Sequence, residues 1–254
     1  MDLPLPHDDP APQIAALARR YRRANGPVIS VLNRLGGQLE RQLDALPPPV
    51  KRQIEVTVTR ALQAAHSAAH AAAGVTRRAP DLGTRAAPIA AAFSGAVGGL
   101  GGLATAIPEL PVTVTLILHA IRRAAEAEGF DPDDPAIRAE CLGIFAAGSP
   151  VENDAGANTA FLGARLALSG SAVHGVIAAV APRLAAALGQ KLAAQAVPVL
   201  GALTGAALNA AYLTYYRELA RIRFALLRLA GTHGPEATLA AFNTAIKPVP
   251  VTRN

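Results

Sequence analysis

The sequence contains no tryptophan, four tyrosines, six phenylalanines and one methionine among its 254 residues. A core with so few large side chains has to be filled mainly by small ones. Hydrophobic residues nevertheless make up 51% of the chain, which excludes disorder for most of it and is ample for a folded core. Alanine dominates this fraction, and its high helix propensity favours helices that approach one another closely.

Cysteine occurs once, at Cys141. A single cysteine excludes an internal disulfide framework and is typical of a reducing compartment. Its apolar surroundings indicate a buried, inert thiol, since a nucleophilic cysteine needs a neighbouring base. The first ten residues, MDLPLPHDDP, are acidic and proline-rich and do not form a secretory signal, so we expect a cytoplasmic protein.

Strand-like alternation of polar and apolar residues is also absent over any useful length, so the sequence predicts an all-α fold. We expect a single compact multi-helix domain with closely packed Gly/Ala-rich central helices. A partly disordered basic helical arm is assigned to residues 1–46, the helical domain to 49–245 and a flexible tail to 246–254. Helices are predicted over 11–24, 28–46, 49–73, 135–147, 158–169 and 172–188, with another that stops at Gly231 and a short one from Pro235.

Glu109 stands alone among apolar residues between Pro108 and Pro111, two prolines that suit the first turn of a helix. We therefore predict that a helix begins near Pro108 and that Glu109 caps its positive end. A lone carboxylate in apolar surroundings also suits proton transfer, which makes Glu109 the weak catalytic candidate. Beyond it, apolar residues recur at helical spacing, at Leu110, Val114, Ile117, Leu118, Ile121 and Ala125.

An acidic turn follows this helix. Gly129 suits the left-handed position after the last helical turn, and Asp134 can cap a new helix that Pro135 opens. The segment lacks the glycine and the distal glutamate of an EF-hand loop. Its aspartates therefore predict a turn and a cap rather than a calcium site.

Two glycine-rich runs, 86–108 and 192–216, carry no charged residue. Small residues let helix backbones come close, and Asn209 is expected to form a hydrogen bond between helices. We assign helix packing to Gly95, Gly98, Gly99, Gly101, Gly102, Gly201, Gly205 and Asn209. Uncharged runs of this length leave an alternative open, an integral or inserting membrane protein. No strand precedes the glycines and no G-x-x-x-x-G-K-[ST] loop occurs, so we expect no cofactor.

His66 and His70 lie four residues apart on a predicted helix, a spacing that can place two imidazoles on one metal ion. The HSAAH segment lacks the glutamate of the HExxH pattern, and no acidic cluster adjoins it. A third ligand is therefore missing, and the pair is only a weak metal candidate. Together with Glu109 it defines a second alternative, a hydrolase-like enzyme.

Basic residues outnumber acidic ones, 24 against 18, for a formal net charge of +6. The candidates for contact with an anionic surface lie on two predicted helices, at Arg19, Arg20, Arg22, Arg23, Arg217, Arg221 and Arg228. The absence of base-stacking aromatics and of a DNA-reading motif disfavours nucleic acid. The expected partner is an anionic membrane surface or a membrane protein complex, and a homo-oligomer stays open.

A family resemblance rests on GGLGGLATA at 98–106, PELPVTVTLILHAIRRAAEAEGFDPDDPAIRAECL at 108–142, VPVLGALTGAALN at 197–209 and RELARIRF at 217–224. In that order and spacing the sequence resembles the EcsC-like proteins, named after a gene beside the Ecs ABC transporter of Gram-positive bacteria. Glu109 stands where the family pattern has aspartate. The resemblance implies a largely helical bacterial protein linked to membrane transport, secretion or the cell envelope, and it supplies no catalytic residues.

We therefore expect a non-enzymatic helical protein of the bacterial cytoplasm that acts at the inner face of the cell membrane. Its expected role is accessory to transport, secretion or envelope processes. Insertion through 86–108 and 192–216 and hydrolase-like chemistry at Glu109 or at His66 and His70 are the alternatives.

Overall fold

The computed structural model describes residues 9–24, 46–72, 103–147, 173–195 and 201–247. These residues form seven α-helices, which are α1 (Ala11–Ala24), α2 (Pro48–Ala72), α3 (Leu103–Ala127), α4 (Pro135–Gly143), α5 (Val173–Gln195), α6 (Gly201–His233) and α7 (Pro235–Ile246). A short 3-10 helix, Ile144–Ala147, directly follows α4. No strand occurs within these ranges, and the predicted all-α class is confirmed. The helices predicted over 28–46 and 158–169 lie outside the described residues.

The main core is built around α3, which packs against α2, α4, α5 and α6. The apolar face predicted for α3 is buried at every position: Leu110, Val114, Ile117, Leu118, Ile121 and Ala125. Rare aromatic side chains fill the space between the smaller ones. The ring of Tyr216 lies 5.4 Å from that of Phe145 and 5.2 Å from that of Tyr215, measured between centroids.

A second, smaller core lies where α1 and α7 pack against the other side of α6. It contains Ile14, Leu17, Ala18, Ile222, Ala225, Leu226, Leu229 and Phe242.

 In this core Leu229 of α6 is buried, and the ring of Tyr21 meets that of Phe242 edge to face at a centroid distance of 6.1 Å. The second half of α6 is therefore covered on two sides, which explains why its apolar residues do not form one narrow stripe. The predicted division into arm, domain and tail stays a prediction.

The start of α3 differs from the prediction. The helix begins at Leu103 and not near Pro108, so both Pro108 and Pro111 lie inside it. Prolines prefer a first turn, but the residues before Pro108 include good helix formers, and they extend the helix by more than one turn. Glu109 consequently lies about two turns from the helix start, and the prediction that it caps the helix is wrong.

The end of α3 and the start of α4 agree with the prediction. Gly129 adopts a φ of 87°, and the N–H of Phe130 donates to the carbonyl of Ala125 at 3.0 Å, as in a Schellman motif. Asp134 accepts hydrogen bonds from the N–H groups of Ala136 at 2.7 Å and Ile137 at 3.2 Å. The acidic turn is therefore a helix stop followed by an N-cap.

The last two helices meet at a glycine, although not at the one predicted. α6 continues through Gly231 and ends at His233, and Gly234 has a positive φ of 85°, which favours glycine. Pro235 then opens α7, as predicted.

None of the helices in the described ranges combines the length and the apolar character needed to cross a membrane. Most of the first glycine-rich run, residues 86–102, lies outside those ranges.

Candidate functional site

A buried polar cluster joins three helices of the main core. It consists of Glu109 and Thr113 on α3, Lys191 on α5 and Asn209 on α6. The Lys191 ammonium nitrogen Nζ lies 3.5 Å from Glu109 Oε1, and Asn209 Nδ2 donates a hydrogen bond to the same oxygen. The Thr113 hydroxyl donates to it at 3.4 Å. Asn209, for which the sequence predicts an interhelical hydrogen bond, therefore makes one to the residue predicted as a cap.

The electrostatics of the cluster are dominated by burial. The Lys191 side chain is 0% exposed and that of Glu109 is 7% exposed. Burial lowers the pKa of the Lys191 ammonium, because the interior disfavours the charged form, while the charge of Glu109 and its hydrogen bond to Lys191 oppose this shift. Glu109 thus stabilises a cation that is shielded from water.

A narrow cleft between α3 and α6 adjoins this cluster. It is lined by Thr113, Leu116, Ile117, Asn209 and Leu213. The cleft has about 180 Å³ of empty space, counting the part that is open to solvent, and is too narrow to hold a water molecule. Small-molecule sites usually occupy roughly 300–1,000 Å³. The contacts of Glu109 in this part of the protein therefore suit a structural polar link between helices better than proton transfer to a substrate.

A second buried ion pair links α4 to α6. Arg223 Nε lies 2.5 Å from Glu140 Oε1, and both side chains are less than a tenth exposed. Cys141, the next residue along α4, is buried, and burial raises the pKa of its thiol to about 12. The prediction of a buried cysteine is confirmed, and a thiol with so high a pKa is not a nucleophile near neutral pH.

The predicted metal ligands give no site that can be described. His66 and His70 belong to α2, but their side chains lie outside the described residues. Among the side chains that are described, no group of three or more histidine, cysteine, aspartate or glutamate residues could hold a metal ion. The packing glycines Gly95, Gly98, Gly99, Gly101 and Gly102 also lie outside the described ranges, and Gly201 and Gly205 lie in the first turns of α6.

The predicted arginines of α1 separate into two groups. Arg20 and Arg22 lie on opposite flanks of the helix, where Arg20 pairs with Glu218 of α6 and Arg22 donates to the carbonyl of Ala245 in α7 at 2.8 Å. Arg19 and Arg23 are exposed on the side that faces away from α6 and α7. The two flanking arginines hold α1 in place, and the two exposed ones are directed to solvent.

The arginines predicted on α6 meet those of α1. Three guanidinium groups surround one carboxylate. Glu218 Oε2 lies 2.5 Å from Arg20 Nε, and Glu218 Oε1 lies 3.0 Å from Arg221 Nη1 and 3.8 Å from Arg217 Nε. We call Arg20, Arg217 and Arg221 with Glu218 the arginine cluster. Arg228 lies further along α6 and pairs instead with Glu128 at 3.1 Å.

Sequence reasoning missed Lys191 and Glu218, the residues that complete the two clusters. Lys191 is a single lysine in an alanine-rich helix, and such a residue is normally exposed. Glu218 stands between Arg217 and Arg221 in the RELAR segment, and this excess of arginine around one acid was the available signal. Neither residue could be matched with its distant partner without the helix packing.

Comparison with known proteins identifies the family. No curated protein and no solved structure matches the chain. The model of the EcsC protein family matches residues 13–229. This range includes all the segments that carry the resemblance, from GGLGGLATA at 98–106 to RELARIRF at 217–224. Because this match covers well over half of the chain, the protein belongs to the EcsC protein family.

Proposed function

We propose that the protein acts at the cytoplasmic face of a bacterial membrane, as a peripheral, non-enzymatic accessory to transport, secretion or envelope processes. The observation that carries this proposal is the contact between Arg20 of α1 and Glu218 of α6. Arg20 and Glu218 are 198 residues apart in the chain. Their contact brings the arginines of α1 close to those of α6. We call the surface formed by these two helices the basic surface. It consists of Arg19, Arg20, Arg23, Arg217 and Arg221.

Charge and exposure support an anionic partner for this surface. Arg19 and Arg23 are exposed beside the arginine cluster, in which three guanidinium groups lie within 4 Å of the carboxylate of Glu218. Basic side chains near an anionic lipid surface contribute about 1 kcal/mol each. The overall excess of basic residues favours the same kind of partner.

The helix that carries the exposed arginines also has the pattern of an interfacial helix. α1 buries Ile14, Leu17 and Ala18 on one side and carries four arginines on the rest of its surface. In the protein that apolar side is used to dock on α6 and α7. The interaction with lipid that we propose is therefore electrostatic, through the arginines, and does not require α1 to leave its place.

Sedimentation with lipid vesicles tests the proposal. We expect the protein to bind vesicles of phosphatidylcholine and phosphatidylglycerol at low salt, to dissociate at high salt, and not to bind phosphatidylcholine alone. The double variant R19Q/R23Q is expected to bind about 30-fold more weakly, from the loss of two charges near the surface.

The matched control is R60Q/R123Q, which removes two exposed arginines from α2 and α3 and leaves the basic surface unchanged. Equal weakening by both double variants would mean that net charge alone, and not this surface, drives binding. Binding to neutral vesicles, or none to anionic ones at low salt, would refute the proposal.

A further inference from the structure

Helix α1 is packed on the protein without being part of its main core. Among the described residues, every buried member of the main core lies on α2 to α6 or on the 3-10 helix, and α1 reaches this core only with the half-buried Tyr21. Its buried residues Ile14, Leu17 and Ala18 belong to the second core, where they face α6 and α7. Release of α1 therefore leaves the buried side chains of the main core in place.

The side chains of α1 are arranged as in a helix that lies at a lipid interface. Ile14 and Leu17 share one side of the helix with Tyr21, and Arg20 and Arg22 lie along the two edges of that side. Arginines at such edges keep their charged ends among polar groups while their stems cover apolar surface. A tyrosine ring suits the same depth, because one end of it is apolar and the other is polar.

The two edge arginines contact oxygens of the kinds that lipids offer. Arg20 pairs with the carboxylate of Glu218, and Arg22 donates to the backbone carbonyl of Ala245 at 2.8 Å. A bilayer of phospholipids presents anionic phosphate oxygens and ester carbonyl oxygens to a helix at its interface. The side chain of Arg20 is 46% exposed, so salt and competing anions weaken its ion pair. Lipid oxygens can therefore replace both protein acceptors.

Docking and insertion use the same side of α1 and exclude one another. Release opens the second core, to which α6 and α7 contribute Leu226, Leu229 and Phe242. In water this exposure is unfavourable, and α1 stays docked. On a bilayer the acyl chains cover the apolar side of α1, so lipid shifts the balance by binding one of the two forms better.

We propose that α1 is released from α6 and α7 on an anionic bilayer and inserts its apolar side at the lipid interface. The contacts of Arg20 with Glu218 and of Arg22 with Ala245 hold α1 on the protein until lipid oxygens replace them. This inference rests on the proposed function, in which the basic surface makes the first, electrostatic contact. Insertion adds a second, apolar contact with the same membrane.

Tryptophan fluorescence tests the release, because the chain contains no tryptophan of its own. The variant Y21W places the only tryptophan on the apolar side of α1. We expect brominated acyl chains in anionic vesicles to quench its fluorescence, and sedimentation of the same samples confirms that the protein is bound. The control F130W carries its tryptophan beside Phe224, on the side of α6 that faces the main core, and should not be quenched.

Weaker docking gives a second test that does not change α1. The ring of Phe242 on α7 contacts that of Tyr21, so F242L weakens docking through the loss of an aromatic pair. We expect F242L to bind anionic vesicles about fivefold more tightly than the wild type. The matched control is F145L, which removes a ring that pairs with Tyr216 in the main core and should bind as the wild type does.

The outcomes separate this inference from the proposed function. Vesicle binding without quenching of Y21W leaves the electrostatic function and refutes the release. Equal quenching of Y21W and F130W, or equal affinities of F242L and F145L, also refutes it, because insertion would then not be specific to α1. Absence of binding to anionic vesicles at low salt refutes both proposals. If Y21W fails to fold, the comparison of F242L with F145L decides.

Discussion

Lys191 of α5 and Glu109 of α3 form an ion pair in the protein interior, with 3.5 Å between Nζ and Oε1. Removing one member of such a pair leaves the other charge buried without its partner, whereas removing both does not. We expect K191M to lower the free energy of unfolding by about 3–5 kcal/mol. The double variant E109Q/K191M should recover most of this loss. Urea unfolding of E109Q, K191M and the double variant measures the coupling between the two side chains.

An unchanged free energy of unfolding in K191M would contradict this prediction, because it would mean that Glu109 stays in the interior without Lys191 at no cost in stability. Equal losses in K191M and in the double variant would mean that packing, and not charge, explains the effect. The helical signal of each variant by circular dichroism serves as the control for folding.

The same pair predicts how stability changes with pH. Burial lowers the pKa of Lys191 below its ordinary value of 10.5, so between the two values the unfolded chain binds more protons than the folded protein. Stability contributed by this group therefore rises as the pH rises through that window, and the cost of the buried charge is fully present below it. We expect the wild type to gain stability relative to E109Q/K191M between neutral pH and pH 10.5, as measured by urea unfolding at each pH. A constant difference would contradict the prediction.

Local signals in the sequence predicted much of the fold, and long-range contacts explain the rest. Gly129 and Asp134 act on backbone groups within a few residues, so their roles follow from residue type and spacing alone. Glu109 and Lys191 are 82 residues apart, and nothing near either residue indicates the other. The position of Glu109 was misjudged because local preference placed a helix start at Pro108, whereas its actual contacts come from α5 and α6.

The candidate site was predicted in its parts and not in its arrangement. Arginine-rich segments on α1 and α6 are visible in the sequence because arginines recur at short spacing in both segments. That Arg20 meets Glu218 depends on how α1 docks on α6 through Ile14 and Leu17. Such docking is decided by shape and packing, which a single sequence does not contain.

Cys141 should be unreactive in the folded protein. Burial raises the pKa of its thiol to about 12 and keeps reagents away, so the thiol is protonated and shielded near neutral pH. We expect Ellman's reagent at pH 8 to label Cys141 only at the rate at which the protein unfolds, and at once in denaturant. Labelling proportional to reagent concentration, with no limit set by unfolding, would show that the thiol is exposed.

The buried pair of Arg223 and Glu140 should matter far more than an exposed one. R223M leaves the carboxylate of Glu140 in the interior without its cation, and we expect a loss of about 3–5 kcal/mol. R123Q removes the exposed pair with Glu126, whose side chains are 49% and 41% exposed, and should cost at most about 0.5 kcal/mol. The urea midpoints of the two variants, at an unchanged dependence on denaturant, provide the comparison. Similar losses of stability in R223M and R123Q would contradict the prediction that the buried pair contributes more than the exposed one.

Asp134 contributes stability through its hydrogen bonds to the first turn of α4. D134A leaves the N–H groups of Ala136 and Ile137 without this acceptor and should lower the free energy of unfolding by about 1 kcal/mol. D134N retains a side-chain oxygen and removes the charge, so it should lose only the interaction with the helix dipole, a few tenths of a kcal/mol. Thermal and urea unfolding of both variants separate the two contributions. If D134N is as unstable as D134A, the charge and not the hydrogen bond holds the start of α4, because asparagine caps helices about as well as aspartate does.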